Sequence, residues 1–145
     1  MYDAAHTQTQ TTQQSHAALR REVGMLRARE SRRVFDTMVY VGRLEGERES
    51  FVVRAQDLTS VDAALRVDVV CALLANLADD PAPAQAWLTR SGAPTTHDVD
   101  LLWLAAATIA FDIHGQSLED FFAITRGGWL DVRSGAHRAW KRLRL

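Results

Sequence analysis

The sequence predicts the α+β fold class: a central buried helix with two or three further helices packed on two antiparallel β-hairpins. Three observations lead to this prediction. An apolar run within residues 95–115 has helical length, and two stretches, 35–56 and 129–140, have the alternation and glycine turns of hairpins. The 145 residues are 47% apolar and 24% charged, which is typical of one globular domain.

The first element follows a polar tract. Residues 1–14 are rich in Gln and Thr and almost free of large apolar side chains. They bury too little surface to offset their ordering entropy, so we expect a disordered tail before a single globular domain over residues 15–145. Leu19, Val23 and Leu26 then recur at helical spacing and predict a helix over residues 16–33.

Residues 35–56 predict the first hairpin. A three-residue loop ending at Gly46, with Gly46 in the left-handed conformation, places Arg43 opposite Glu47. A two-residue loop would instead place Arg43 opposite Arg48, and like charges across a strand pair are unfavourable. We therefore expect the three-residue loop.

Two helices are predicted before the central one. Thr59 and Asp62 have the spacing of a capping box, and an apolar stripe follows them. Cys71 lies in this stripe and is interpreted as a small core residue, because no nearby cation or histidine would lower its pKa. Residues 84–89 predict a short helix anchored by Trp87.

The central helix is expected within residues 95–115. Thr95 and Asp98 have capping-box spacing, and His114 followed by Gly115 is typical of a helix end. The run is too short to span a bilayer, so the sequence predicts a helix enclosed in the core. Exposure of its large aliphatic side chains would instead make it a docking surface. These side chains are Leu101, Leu104 and Ile109.

The C-terminal part predicts a short helix and a second hairpin. Ser117 and Asp120 repeat the capping-box spacing, so we expect a helix over residues 117–126. A two-residue turn at Ser134–Gly135 would then place Trp129 opposite Trp140.

Charge is segregated along the chain, although the formal net charge is only -1. Residues 1–34 carry six arginines and three acids, residues 35–125 five arginines and fourteen acids, and residues 126–145 six cations and one acid. Either the basic ends fold back onto the acidic middle or they face an anionic partner. The first arrangement is favoured, because opposite charges in one small domain are seldom far apart.

The sequence contains no motif of a known catalytic or cofactor site. It has no phosphate-binding glycine loop, no serine-nucleophile motif and no paired cysteine or histidine metal motif. We therefore predict no catalytic residue, no metal and no cofactor, and favour a non-enzymatic protein. A small enzyme with a site near Asp112 and His114 is the second alternative.

The predicted function is a small cytoplasmic binding or interaction module that binds a protein partner or self-associates, without contact with a membrane. A single cysteine and the absence of an apolar leader in residues 1–15 favour the cytoplasm. Two contact surfaces are predicted: the Arg-bearing first helix, and the face of Trp129 and Trp140 with its basic C-terminal strand. The alternative, of equal weight, is that both tryptophans cover the core. The residues of the two surfaces are Arg20, Arg27, Trp129, Arg138, Trp140, Lys141 and Arg142.

The first alternative is nucleic-acid binding through the basic N-terminal helix and the basic C-terminal hairpin. The order of core helix, turn, short helix and basic hairpin has the outline of a winged helix-turn-helix. The expected recognition helix, however, carries Glu119 and Asp120 and no cation before Arg126. Acidic side chains there repel phosphates, so this alternative ranks below the interaction module.

Overall fold

Within the described residues the chain forms three α-helices, one 3-10 helix (Ala55–Asp57) and six strands, and the predicted α+β class is confirmed. The computed structural model describes residues 4–57 and 60–142, with side chains described from residue 15 onward. The helices are α1 (Ala4–Arg29), α2 (Ala63–Ala75) and α3 (Asp98–Ile113). The strands are β1 (Thr37–Gly42), β2 (Arg48–Val53), β3 (Gln85–Thr89), β4 (Asp120–Thr125), β5 (Gly128–Asp131) and β6 (His137–Ala139).

All six strands belong to one mixed sheet, with the order β2-β1-β3-β4-β5-β6. The pair β3 and β4 is parallel and every other pair is antiparallel. Helix α3 lies in the connection between the two parallel strands. The prediction of two separate hairpins is thus corrected, because β3 and β4 join them into a single sheet.

Strands β3 and β4 replace the short helices predicted over residues 84–89 and 117–126, and both helix predictions are wrong. Each strand is buried at all but its first residue. A strand that is covered on both faces has a continuous apolar sequence without alternation. Periodicity cannot distinguish such a strand from a segment of buried helix.

The sheet has helices on both faces. On one face, α2 and α3 cover a cluster that includes Val70, Trp103 and Phe111 together with sheet residues such as Phe121. On the other face, α1 contributes four apolar side chains that pack on sheet aromatics. These side chains are Ala18, Leu19, Val23 and Leu26, and the aromatics are Tyr40, Trp87, Phe122 and Trp129.

Helix α1 is longer than predicted but ends earlier, at Arg29 and not at residue 33. It continues back to Ala4, whereas the sequence predicts a disordered tail over residues 1–14, of which residues 1–3 lie outside the described residues. Once the buried turns at Leu19 and Val23 are formed, each further residue adds a helical hydrogen bond without a new nucleation cost. The composition of residues 1–14 alone does not reflect this propagation from the neighbouring buried turns.

The first hairpin has the predicted register. Val39 lies opposite Phe51, and the amide of Arg43 donates to the carbonyl of Glu47 (3.0 Å). The predicted left-handed Gly46 is wrong, because the positive φ occurs at Gly42 (+136°). A Cβ on Gly42 would lie 2.2 Å from the carbonyl oxygen of Glu47, so this glycine is needed for close approach of the strands.

The second hairpin has a different register from the predicted one. Trp129 lies opposite Arg138, not opposite Trp140. The turn is longer than two residues, because the amide of Asp131 donates to the carbonyl of Ala136 (2.7 Å). A carboxylate oxygen of Asp131 also accepts from the amides of Arg133 (3.1 Å) and Ser134 (3.3 Å), which stabilises this longer turn.

Helix ends were partly predicted. Asp62 is the N-cap of α2 and accepts from the amide of Leu65 (2.8 Å), whereas Thr59 lies outside the described residues. The N-cap of α3 is His97, so the predicted start at Thr95 is corrected by two residues. The predicted end is confirmed: Gly115 has φ +67°, and the amide of Gln116 donates to Phe111 (2.8 Å) in a Schellman motif.

Candidate functional site

Helix α3 has a buried face and an exposed apolar face. Trp103, Ala106 and Phe111 pack in the core, as predicted. Leu101, Leu102, Ile109 and Ile113 are 49%, 46%, 51% and 64% exposed. The expectation that Leu101 and Ile109 are enclosed is therefore wrong, and Leu104 is partly buried. Because α2 and α3 form a single layer on the sheet, the outward side of each helix has no protein layer above it.

A second feature is a cleft at the edge of the sheet where the parallel strands β3 and β4 end. Its volume is about 860 Å³. It is lined by the chain after α1, the loop between β3 and α3, and the turn between β4 and β5. The lining residues are Arg33, Val34, Phe35, Ser91, Gly92, Ala93, His97 and Arg126. Ligand sites in open α/β sheets commonly lie outside the carboxyl ends of the strands.

A buried ion pair shapes the loop at this cleft. Arg90 and Asp100 are 2% and 0% exposed, and Nε and Nη2 of Arg90 donate to the two carboxylate oxygens at 2.7 and 2.8 Å. The same guanidinium donates to the carbonyls of Ser91 (3.1 Å), Ala93 (3.0 Å) and Thr95 (2.8 Å). One side chain therefore fixes the path of residues 91–95.

The carboxylate of Asp100 also connects this loop to α3. Its Oδ2 accepts from the backbone amide of His97 at 2.9 Å. Gly92 has φ +96°, and a Cβ there would lie 2.7 Å from Cε1 of His97. The His97 ring is therefore packed over a backbone position that only glycine can occupy without displacement.

Basic side chains surround the cleft. Arg27 on α1 donates to the carbonyl of Arg126 and to the carbonyl of Trp140 (3.0 Å), which joins the two basic ends of the chain. Glu30 pairs with Arg32 (2.8 Å), and hydrogen bonding from Arg32 lowers the Glu30 pKa to about 2. The positive charge of Arg126, which lines the cleft, also lowers the Glu30 pKa, so this carboxylate lies near the basic side chains of the cleft without lining it.

The predicted fold-back of charge is seen for the N-terminal helix. Arg21 forms an exposed ion pair with Glu45 of the first hairpin. Glu22 is buried and accepts from Arg48 (2.7 Å), whose guanidinium also lies 4.8 Å from the centre of the Trp87 ring. These contacts attach α1 to the hairpin, and the exposed pair contributes little to stability.

The two predicted contact surfaces differ in their exposure. Trp129 is buried under α1, where its ring lies 5.0 Å from that of His16, and Trp140 is partly buried. Arg138 is exposed, with its guanidinium 5.5 Å from the centre of the Trp140 ring. The remaining residues are Arg20, Lys141 and Arg142, which are exposed, and Arg27, which is partly buried.

Sequence reasoning missed the cleft residues and the exposed side of α3. Arg33, His97 and Arg126 are far apart in the chain, and the antiparallel pairing of β1 with β3 and the parallel pairing of β3 with β4 bring their segments to one edge. The spacing of Arg90 and Asp100 did not indicate a pair, because ten residues separate them across a loop. The apolar run of α3 is visible in the sequence, but apolar character alone does not distinguish its exposed side chains from those in the core.

The alternative enzymatic site is not assembled in the described part of the chain. Asp112 and His114 are exposed at the C-terminal end of α3 and line none of the described cavities. No group of three His, Cys, Asp or Glu side chains among the described residues is placed to hold a metal ion. Burial, with a smaller effect of Asp68, raises the pKa of Cys71, so the thiol is protonated at neutral pH.

Comparison with known proteins supplies no family for this fold and cleft: no protein-family model, curated protein or solved structure matches the chain. No helix within residues 4–57 or 60–142 combines the length and apolar character needed to cross a bilayer.

Proposed function

We propose that this chain is a cytoplasmic, non-enzymatic interaction module that self-associates through the outward side of α3. The observation that carries the proposal is the row of exposed aliphatic side chains on that helix. Leu101, Ala105, Ile109 and Ile113 are four residues apart and form one ridge along the helix. Contiguous apolar surface of this kind is typical of a protein interface.

The ridge is complementary to itself when two copies lie antiparallel. A two-fold axis near residue 107 places Leu101 opposite Ile113 of the second copy and Ala105 opposite Ile109 of the second copy. The small alanine side chain leaves room for the isoleucine, as in helix pairs with alternating large and small residues. Such an isologous contact closes on itself and gives a dimer.

The helix dipoles also favour the antiparallel arrangement. In that pair, the N-terminal end of each α3 lies beside the C-terminal end of α3 in the second copy. The two helix dipoles are then opposed, which is favourable at the helix ends.

The test compares Ile109→Glu with Met25→Glu by size-exclusion chromatography with light scattering. Ile109 and Met25 are 51% and 52% exposed, but Met25 lies on α1, on the other side of the sheet. We expect a dimer for the wild type and for Met25→Glu, and a monomer for Ile109→Glu, because the symmetric contact places two carboxylates close together. A monomeric wild type at about 100 µM, or a dimer that persists in Ile109→Glu, would contradict the proposal; circular dichroism checks that each variant is folded.

Nucleic-acid binding is the second candidate, and one observation favours it: Arg27 brings the basic N-terminal helix and the basic C-terminal segment together. The winged-helix outline is corrected, because residues 120–125 form the central strand β4 and not a recognition helix. A mobility-shift titration at several salt concentrations tests this candidate. An affinity that falls steeply with salt would support nucleic-acid binding, and no binding at low ionic strength would exclude it.

A further inference from the structure

We propose that the cleft at the carboxyl edge of β3 and β4 binds a small organic phosphate. The phosphate group would lie between Arg33, Arg126 and His97, and the organic part would lie against Val34 and Phe35. This inference does not depend on self-association, because the cleft and the outward side of α3 share no residue.

The charge of the lining is the first argument. Two arginines and one histidine line the cleft, and none of its lining residues is acidic. Arg33 is exposed and Arg126 is partly buried, so neither guanidinium is enclosed in the core. A phosphate in the cleft would accept charge-assisted hydrogen bonds from these two side chains.

The loop backbone gives a second argument. The carbonyl oxygens of Ser91, Ala93 and Thr95 all accept from the buried guanidinium of Arg90. Three negative partial charges are therefore directed to the interior and away from the ligand. The first turn of α3 begins at His97 on the same wall, but the carboxylate of Asp100 already accepts from the His97 amide there, so side chains and not the helix end would hold the anion.

The shape and the apolar wall define the ligand class. A volume of about 860 Å³ is within the range of small-molecule sites. Guanidinium groups match the oxygens of a phosphate in charge and geometry. Val34 is exposed and Phe35 is partly buried, so the cleft also offers apolar surface to a planar or aliphatic group. An inorganic anion would leave this surface unused.

The experiment titrates the full chain with AMP by isothermal titration calorimetry at constant ionic strength. Inorganic phosphate and sulfate serve as comparison ligands. We expect AMP to bind at least about tenfold more tightly than either inorganic anion, because only AMP contacts the apolar wall. We expect Arg126→Gln and Arg33→Gln each to weaken AMP binding about tenfold or more, which corresponds to the loss of one charge-assisted hydrogen bond.

Arg54→Gln is the matched control, since Arg54 is exposed and lies outside the cleft. It should change AMP affinity less than about twofold. The proposal is overturned if AMP shows no saturable binding, if sulfate binds equally well, or if neither cleft variant changes the affinity. A single-stranded oligonucleotide that binds far more tightly than AMP, with a steep salt dependence, would also overturn it and assign the cleft to nucleic acid.

Arg33 is exposed, so loss of binding in Arg33→Gln cannot be attributed to loss of the fold.

Discussion

Replacing Asp100 with asparagine tests the role of the buried ion pair. The substitution keeps the size of the side chain but removes its charge, and it leaves the guanidinium of Arg90 in a site that is 2% exposed. It also places an amide NH₂ where one carboxylate oxygen accepts at 2.7 or 2.8 Å, so that two donors face each other. An amide oxygen at the Oδ2 position still accepts from Nη2 of Arg90 and from the His97 amide, whereas the amide NH₂ at the Oδ1 position no longer accepts from Nε of Arg90.

The expected cost follows from these contacts. Removing one partner of a buried pair typically destabilises a protein by about 3–5 kcal/mol, because the remaining charge is desolvated without compensation. For a chain of this length, such a loss lowers the melting temperature by about 10–20 °C. The hydrogen bonds from Arg90 to three loop carbonyls remain in Asp100→Asn. We therefore expect a destabilisation near the lower limit, about 3 kcal/mol.

Urea denaturation followed by tryptophan fluorescence measures the free energy of unfolding of Asp100→Asn. An unchanged m-value would show that the folded and unfolded states are as compact as those of the wild type. The double variant Arg90→Met, Asp100→Leu serves as the control. It removes both charges together with the donors to three loop carbonyls, so we expect it to recover only part of the lost stability. A loss below about 1 kcal/mol in Asp100→Asn would refute the reasoning.

Three further predictions concern the glycine at the cleft, the cysteine and the core. Gly92→Ala should cost about 1–3 kcal/mol and shift the NMR signals of the His97 ring, whereas Gly115→Ala, which has nothing within 4 Å of its Cβ, should leave that ring unchanged. Because burial raises the pKa of Cys71, its reaction with a disulfide reagent should be slower than that of free cysteine at pH 8 and accelerate only at higher pH; an equal rate in the folded protein would contradict this. Phe111→Ala should lower the free energy of unfolding by about 3–5 kcal/mol in urea titrations, and a loss below about 1 kcal/mol would show that Phe111 is not a core residue.

Local features of the fold could be predicted from the sequence, because neighbours along the chain determine them. The apolar stripe of Leu19, Val23 and Leu26 identified the buried side of α1. The opposition of Arg43 and Glu47 selected the register of the first hairpin, and Gly115 identified the end of α3. In each case a fixed spacing brings the interacting groups together in the local structure itself.

Tertiary structure decided the centre of the sheet and both candidate surfaces. Residues 85–89 and 120–125 are strands because each is covered on two faces, a condition that depends on helices elsewhere in the chain. The apolar run of residues 99–111 is exposed on one side, because α2 and α3 share a single layer. The cleft forms where the segments of Arg33, His97 and Arg126 meet, and the pairing of β3 with both β1 and β4 creates that meeting point. Apolar character and charge are properties of single residues, whereas burial and proximity are properties of the assembled layers.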